Sequence, residues 1–179
     1  FSTIQEAINN ASPGSVIYIK SGVYYEKISI NKELTIIGLD TGSGPPVING
    51  NGTGTIIFVS ANKVCLKNLI IINGSYWGVG LGCSYTSIVN CTIKNVPTGI
   101  CSASHNSIIN CTISDVETGI VSGYNCSIIN CTISSDKWGI RAESLNRIVN
   151  CSLTGYGIFL LNSFDLNIEN CVVNGLPII

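Results

Sequence analysis

Apolar residues recur along most of this chain with a fixed period, which is about 20 residues. Five cysteines occupy the same place in that pattern, each with an isoleucine three residues before it and an isoleucine, leucine or valine two residues after it: Cys91, Cys111, Cys131, Cys151 and Cys171. A period of this size is typical of a solenoid, whose units bury their apolar sides only against one another. Short β-branched runs separated by Gly and Asn favour strands over helices. We therefore predict a β-solenoid with about three short strands in each coil.

The first part of the chain departs from this repeat. Residues 1–14 predict a capping helix, because apolar residues fall at helical spacing before a Pro-Gly pair. Residues 15–63 predict irregular first coils, and residues 64–179 predict regular ones. No charged or Pro/Ser-rich linker divides the sequence, so we expect a single domain over residues 1–179.

The composition limits the partners of the chain. Hydrophobic residues make up 45% of it, charged residues only 11%, and the formal net charge is −1. Nucleic acids and anionic membranes both require a basic surface, so neither is an expected partner. The apolar runs are also shorter than a bilayer-spanning helix requires, so we expect no membrane insertion.

Eight Asn-x-Ser/Thr triplets suit an extracellular or cell-surface glycoprotein. Several of them lie on adjacent coils, where neighbouring glycans would collide, and chance also produces such triplets in a chain rich in Asn, Ser and Thr. The candidates for glycosylation are Asn51, Asn73 and Asn125.

The opening run FSTIQEAINNASPGSVIYIKSGVYYEKISINKELTIIG and the later cysteine runs, such as SIINCTI, resemble the pectin-lyase-like superfamily. The opening is similar to the N-terminal cap and first coil of pectin methylesterases. The later coils are similar to the I-x-x-N-x-I repeat of β-helix proteins of the carbohydrate-binding and sugar-hydrolase type, with cysteine at the place of the inward Asn. The resemblance implies an all-β, right-handed, single-stranded parallel β-helix (β-solenoid) of about 20-residue coils with an N-terminal capping helix. This scaffold hosts several unrelated functions, so it does not select one.

The five repeated cysteines have two interpretations. Thiolates are soft ligands for metal ions. The flanking apolar residues, however, place these cysteines on the inward face, where a thiol acts as a small hydrophobic group and resists ionisation. We predict a structural cysteine ladder in the core, with no bound metal or other cofactor.

Catalysis on this scaffold, as the resemblance implies, needs particular residue sets. These are the calcium-binding acids and catalytic Arg of pectate lyases, the paired Asp and His-Gly motifs of polygalacturonases, and the GFxAxDxxF segment of pectin methylesterases. None of them matches this sequence, so we identify no catalytic residue. Asp115, Glu117 and Asp136 fall in corresponding turns beside Lys94 and Lys137. That mixture favours a neutralised surface cluster over an acid–base pair acting on a sugar.

One further column suggests binding. The residue before a recurring glycine is aromatic in three coils, at Trp77, Trp138 and Tyr156. Flat aromatic faces stack on sugar rings. With Asp115 and Glu117 they are candidate carbohydrate-binding residues. The competing interpretation is that the aromatic rings pack over turns of their own coils.

The sequence therefore favours a non-catalytic extracellular structural module of a cell-surface, sheath, filament or adhesin protein. The alternative is a polysaccharide-binding or polysaccharide-cleaving domain, and a metal-handling thiol protein is a weaker third hypothesis. The last coil, residues 167–179, is predicted to have an apolar underside and an unpaired strand edge. We expect the solenoid ends to mediate self-association or to contact adjoining domains.

Overall fold

The computed structural model describes residues 1–161 and 165–177. In these residues one helix, α1 (Ile4–Asn10), precedes the strands. The strands are β1 (Ser15–Lys20), β2 (Val23–Tyr24), β3 (Ile28–Ile30), β4 (Leu34–Leu39), β5 (Val47–Asn49), β6 (Ile57–Val59), β7 (Cys65–Lys67), β8 (Ile70–Ile72), β9 (Trp77–Leu81), β10 (Ser87–Val89), β11 (Thr92–Lys94), β12 (Thr98–Ser102), β13 (Ser107–Ile109), β14 (Thr112–Ser122), β15 (Ser127–Ile129), β16 (Thr132–Ala142), β17 (Arg147–Val149), β18 (Ser152–Leu153), β19 (Ile158–Leu160), β20 (Asn167–Glu169), β21 (Val172–Val173) and β22 (Leu176–Pro177).

Helix α1 confirms the helix predicted at the N-terminus. Thr3 caps it, because its hydroxyl accepts a hydrogen bond of 3.0 Å from a backbone N–H in the first turn. The Glu26 carboxylate accepts two more, from the N–H groups of Ile4 at 2.9 Å and Gln5 at 3.0 Å. The helix buries Ile4 and Ile8 against the first coil. Within the described residues, no helix has the length and apolar character that crossing a membrane requires.

The strands form two sheets that wrap around one core. The eight-stranded sheet has the order β1-β4-β7-β10-β13-β15-β17-β20, one strand from each of eight coils. The fourteen-stranded sheet covers the other two sides, and β14 and β16 each pass through both of them. Among the described residues, neighbouring strands are parallel except β21 and β22. Equivalent residues of successive regular coils, such as Ser107 and Ser127, lie one sequence period apart, which confirms the predicted parallel β-solenoid.

Each coil adds equivalent residues to continuous inward columns. In the eight-stranded sheet the strand register aligns one aliphatic residue from every coil: Ile17, Ile36, Leu66, Ile88, Ile108, Ile128, Ile148 and Ile168. The six members from Ile36 to Ile148 are at most 2% exposed. A side chain in such a column is buried only because the coils above and below it are in register.

A column of glycines runs through the fourteen-stranded sheet, on strands β9, β12, β14 and β16. A Cβ atom added to Gly99 would lie 2.6 Å from the carbonyl oxygen of Gly119 and 2.6 Å from Cγ2 of Ile113. Gly78, Gly119 and Gly139 meet the next coil in the same way. The recurring glycine therefore lets the coils approach closely at this side.

An asparagine column produces the sharp turn before the cysteines. Asn90, Asn110, Asn130 and Asn150 have positive φ values of 53–54°, in the left-handed region. Asn tolerates this region better than most residues with a side chain. The turn reverses the inside–outside alternation, so that the cysteine following each asparagine points into the core.

Candidate functional site

The five repeated cysteines lie one above another inside the solenoid, and each is only 1–2% exposed. Each thiol donates hydrogen bonds to backbone carbonyl groups. Cys111 donates to the oxygen of Ile109 at 3.4 Å and to that of Ile88, in the preceding coil, at 3.6 Å. At the last coil, the N–H of Cys151 donates to Sγ of Cys171 at 3.4 Å. All nine cysteines of the chain are free.

Burial opposes the ionisation of several of these thiols. Burial raises the pKa of the Cys91 thiol from its ordinary value of 9.0 to about 12. Burial likewise raises the pKa of Cys171. No group of three or more Cys, His, Asp or Glu side chains suited to a metal ion occurs among residues 1–161 and 165–177. The burial of the ladder thiols and their hydrogen bonds to backbone carbonyl groups fit the predicted structural role in the core.

We predict that the cysteine ladder does not react with a polar disulfide reagent in the folded protein at pH 8, because its thiols are buried and out of reach of the reagent. All nine thiols should react after unfolding in guanidinium. Since the pKa of Cys91 is raised in the folded state, its contribution to stability is complete below pH 9 and is lost as the pH rises toward 12. Rapid labelling of most ladder cysteines at pH 8, located by peptide mass spectrometry, would contradict this arrangement.

A second inward polar column was not identified from the sequence. Asn106 and Asn146 occupy equivalent turns two coils apart and are at most 1% exposed. Oδ1 of Asn106 accepts the N–H of Thr86 at 2.8 Å, and Nδ2 donates to the carbonyl of Cys83 at 2.9 Å and to the Ser102 hydroxyl at 3.1 Å. The signal in the sequence is that these two asparagines stand two full periods apart, at the same coil position.

The candidate carboxylates lie on the surface. Glu117 forms an ion pair with Lys137 at 2.7 Å, and both side chains are more than half exposed. The hydrogen bond to Glu117 raises the pKa of Lys137. Asp115 is also exposed, in a left-handed turn, and accepts a 3.3 Å hydrogen bond from the Ser114 hydroxyl. Exposed ion pairs of this kind contribute little stability.

Trp138 and Tyr156 belong to one aromatic cluster on the outside of the solenoid. The ring centre of Trp138 lies 5.1 Å from that of Tyr156 and 4.7 Å from that of Phe159. The guanidinium of Arg141 lies 6.0 Å from the ring centre of Phe159. Tyr156 is 68% exposed. We call Trp138, Tyr156 and Phe159 the C-terminal aromatic cluster.

Trp77 lies apart from this cluster. Strand register places it in the same column as Trp138, three coils away, which corresponds to roughly 14 Å. Its ring stacks on Tyr76 with 4.6 Å between ring centres, and it covers the backbone of Gly80 beside Phe58. Trp77 thus packs over its own coil. Sequence reasoning missed Tyr76, although it is adjacent to Trp77 in the sequence. It also missed Phe58 and Phe159, because strand register brings them beside these rings.

The three candidate glycosylation sites differ in their surroundings. Asn51 and Asn125 are exposed at turns with positive φ values. The amide of Asn73 is instead part of a chain of hydrogen bonds: it accepts from Asn95 at 2.6 Å and donates to Asn49 at 3.3 Å. A glycan on Asn73 would have to fit beside this chain of asparagine side chains.

Known proteins resemble the chain both in sequence and in fold. A family model described as "Right handed beta helix region" matches residues 46–176. The chain is 37% identical to a "Cell surface glycoprotein" of Methanothermus fervidus over 101 residues, which cover 53% of the chain and 16% of that protein. It is 39% identical to "Probable pectinesterase/pectinesterase inhibitor 17" of Arabidopsis thaliana over 79 residues, which cover 41% of the chain and 15% of that protein. The matches thus span about one sixth of the length of these curated relatives.

Among solved structures, an alginate lyase from Paenibacillus sp. str. FPU-7 is similar, with a TM-score of 0.81 and 17% sequence identity. The match covers 96% of this chain and 74% of the lyase. At this level of identity the similarity shows the fold alone.

Proposed function

The chain belongs to the family of right-handed β-helix regions, and from this premise we propose that it is a non-catalytic structural module of an extracellular, cell-surface protein. The observation that carries the proposal is the 37% identity to a cell surface glycoprotein over 53% of the chain. The eight stacked coils support it, because they form a continuous scaffold with few charges. A sheath, a filament or an adhesin are the kinds of protein that such a module suits.

The location is tested with antibodies raised against the purified chain. Intact source cells should be labelled as strongly as permeabilised cells, with a cytoplasmic protein as the control that is labelled only after permeabilisation. Labelling that requires permeabilisation would refute the proposal.

Peptide mass spectrometry of the same native material should find glycans on Asn51 and Asn125, which are exposed, and none on Asn73, whose amide is hydrogen-bonded.

A second candidate function is polysaccharide binding by the C-terminal aromatic cluster. The observation that favours it is the exposed Tyr156 ring beside Trp138 and Phe159, since neighbouring aromatic faces remove water from the apolar side of a sugar. Arg141 and the Glu117–Lys137 pair add hydrogen-bonding groups at the same side of the coils. The names of the pectinesterase and alginate lyase relatives agree with a polysaccharide ligand.

If the C-terminal aromatic cluster binds a polysaccharide, Trp138→Ala should weaken the retention of the protein in affinity electrophoresis through pectin or alginate gels about tenfold. The reason is that the variant loses the aromatic face that stacks on the sugar. Trp77→Ala is the matched control, since Trp77 packs over its own coil. Neither protein should release new reducing ends from these polymers, with or without calcium. Equal retention of the native chain and Trp138→Ala would exclude this site. Turnover that is lost in Asp115→Asn or Asp136→Asn would instead identify a polysaccharide-cleaving enzyme.

We also propose that the solenoid ends associate. In the described residues β1 and β20 are the terminal strands of the eight-stranded sheet, and each pairs with one neighbour. Among the residues that the structure describes, β20 pairs only with β17, whereas β21 of the same coil also pairs with β22. Ile178 and Ile179 lie outside the described residues.

The purified chain should therefore form end-to-end oligomers in light scattering, and a charged capping helix added after Ile179 should make it monomeric. The added helix is intended to cover the edge of β20. A chain that stays monomeric at high concentration without the added helix would exclude association through the ends.

A further inference from the structure

A small cavity lies where the loop of residues 40–46 overhangs the next two coils. It is on a different side of the solenoid from the C-terminal aromatic cluster and from Trp77. It has a volume of about 260 Å³. The side chains that matter for its chemistry are those of Asp40, Pro45, Asn68, Ile70, Asn90 and Thr92. We call it the Asp40 cavity. In the later coils the corresponding turn is only the Asn-Cys pair, so the overhanging loop is a departure from the repeat.

The overhanging loop is held in place from both sides. Oδ1 of Asp40 accepts hydrogen bonds from the N–H groups of Gly42 at 2.8 Å and Gly44 at 2.9 Å. The Ser21 hydroxyl accepts the N–H of Thr41 at 2.8 Å and donates to the carbonyl of Gly44 at 2.5 Å. The wall of the Asp40 cavity is therefore preformed, and a ligand does not have to order it.

The free polar groups of the cavity suit hydroxyl groups. Within the described residues Oδ2 of Asp40 accepts no hydrogen bond, and it remains available to a donor. The amides of Asn68 and Asn90 are adjacent, joined by a long 3.4 Å hydrogen bond, and retain donors and acceptors. The Thr92 hydroxyl, on β11, adds one group that both donates and accepts.

Apolar and polar groups together define the class of ligand. Pro45 and Ile70 offer an apolar surface beside the carboxylate, the amides and the hydroxyl. A sugar ring combines an apolar C–H face with hydroxyl groups around its edge. We infer that the Asp40 cavity binds one uncharged pyranose ring. The carboxylate disfavours an acidic sugar, and the volume is just below the range of about 300–1,000 Å³ for sites of larger ligands.

The test is a titration of the ¹⁵N-labelled chain, followed by NMR, with methyl α-D-glucopyranoside and separately with galacturonate. The neutral glycoside should shift the amide signals of Gly38, Asn68 and Asn90, with a Kd on the order of 1 mM. Galacturonate should bind at least about fivefold more weakly, because it faces the Asp40 carboxylate. Asp40→Asn keeps the Oδ1 acceptor of the loop and removes the charge, so it should abolish this preference.

Thr92→Val should weaken binding of the glycoside about three- to tenfold, since it removes one hydrogen-bonding group and keeps the shape of the side chain. Thr112→Val is the matched control, because Thr112 pairs with Thr92 in the next coil and lies outside the cavity. Unchanged spectra of the remaining coils show that each variant is folded. The inference is overturned if the glycoside leaves the cavity signals unshifted at tens of millimolar, if both threonine variants bind equally well, or if the shifts lie at the C-terminal aromatic cluster instead.

Discussion

Gly99→Ala is expected to lower the free energy of unfolding by about 3 kcal/mol or more. The added Cβ would lie 2.6 Å from the carbonyl oxygen of Gly119 in the next coil and 2.6 Å from Cγ2 of Ile113 in the core. The backbone of the next coil cannot move aside without breaking the parallel register of β12 with β14. The measurement is equilibrium denaturation in urea, followed by circular dichroism.

Gly82→Ala is the matched control for this experiment. Gly82 is exposed, and the nearest atom to an added Cβ is the end of the Phe58 ring at 3.2 Å. A flexible ring can shift by a few tenths of an ångström, so we expect a change within about 0.5 kcal/mol. Equal stability of Gly99→Ala and Gly82→Ala would show that the coils are not in close contact along the glycine column.

Asn106→Ala is expected to lower the free energy of unfolding by about 3–5 kcal/mol. Its amide satisfies the N–H of Thr86 and the carbonyl of Cys83, and both would be left without these partners in the core. Each buried polar group that loses its partner costs about 1–3 kcal/mol. The same urea denaturation checks this value.

Asn167→Ala provides the comparison for the buried amide. Asn167 is exposed on β20, and within residues 1–161 and 165–177 its side-chain amide donates one hydrogen bond, to the Glu169 carboxylate at 2.9 Å. Since water can replace that bond, we expect a change within about 0.5 kcal/mol. A loss below about 1 kcal/mol for Asn106→Ala would mean that water or a shifted side chain satisfies the turn in place of the amide.

The candidate sugar-binding residues show what sequence spacing can and cannot predict about a surface site. Trp77, Trp138 and Tyr156 share a coil position. A periodic pattern in the sequence gives this shared position but not the contacts of the side chains. The structure separates Trp77 from the other two and adds Phe159, which comes from β19. Whether these rings bind a sugar remains a prediction.

The amino-acid sequence by itself determined the solenoid. Its fixed period, the apolar residues around each repeated cysteine and the helical spacing near the N-terminus were sufficient to predict the fold and helix α1. The physical reason is that each coil contacts only its neighbours. A residue in a solenoid therefore meets the residue one period away, and this relation can be counted along the chain.

Only the tertiary structure decided which side chains meet across the outer surface and at the irregular turns. The Asn106 network depends on how far one turn folds into the core. The Asp40 cavity depends on a loop that departs from the period and overhangs the following coils. The conformation of irregular loops and the rotamers of side chains set these contacts, and neither follows from a repeat in the sequence.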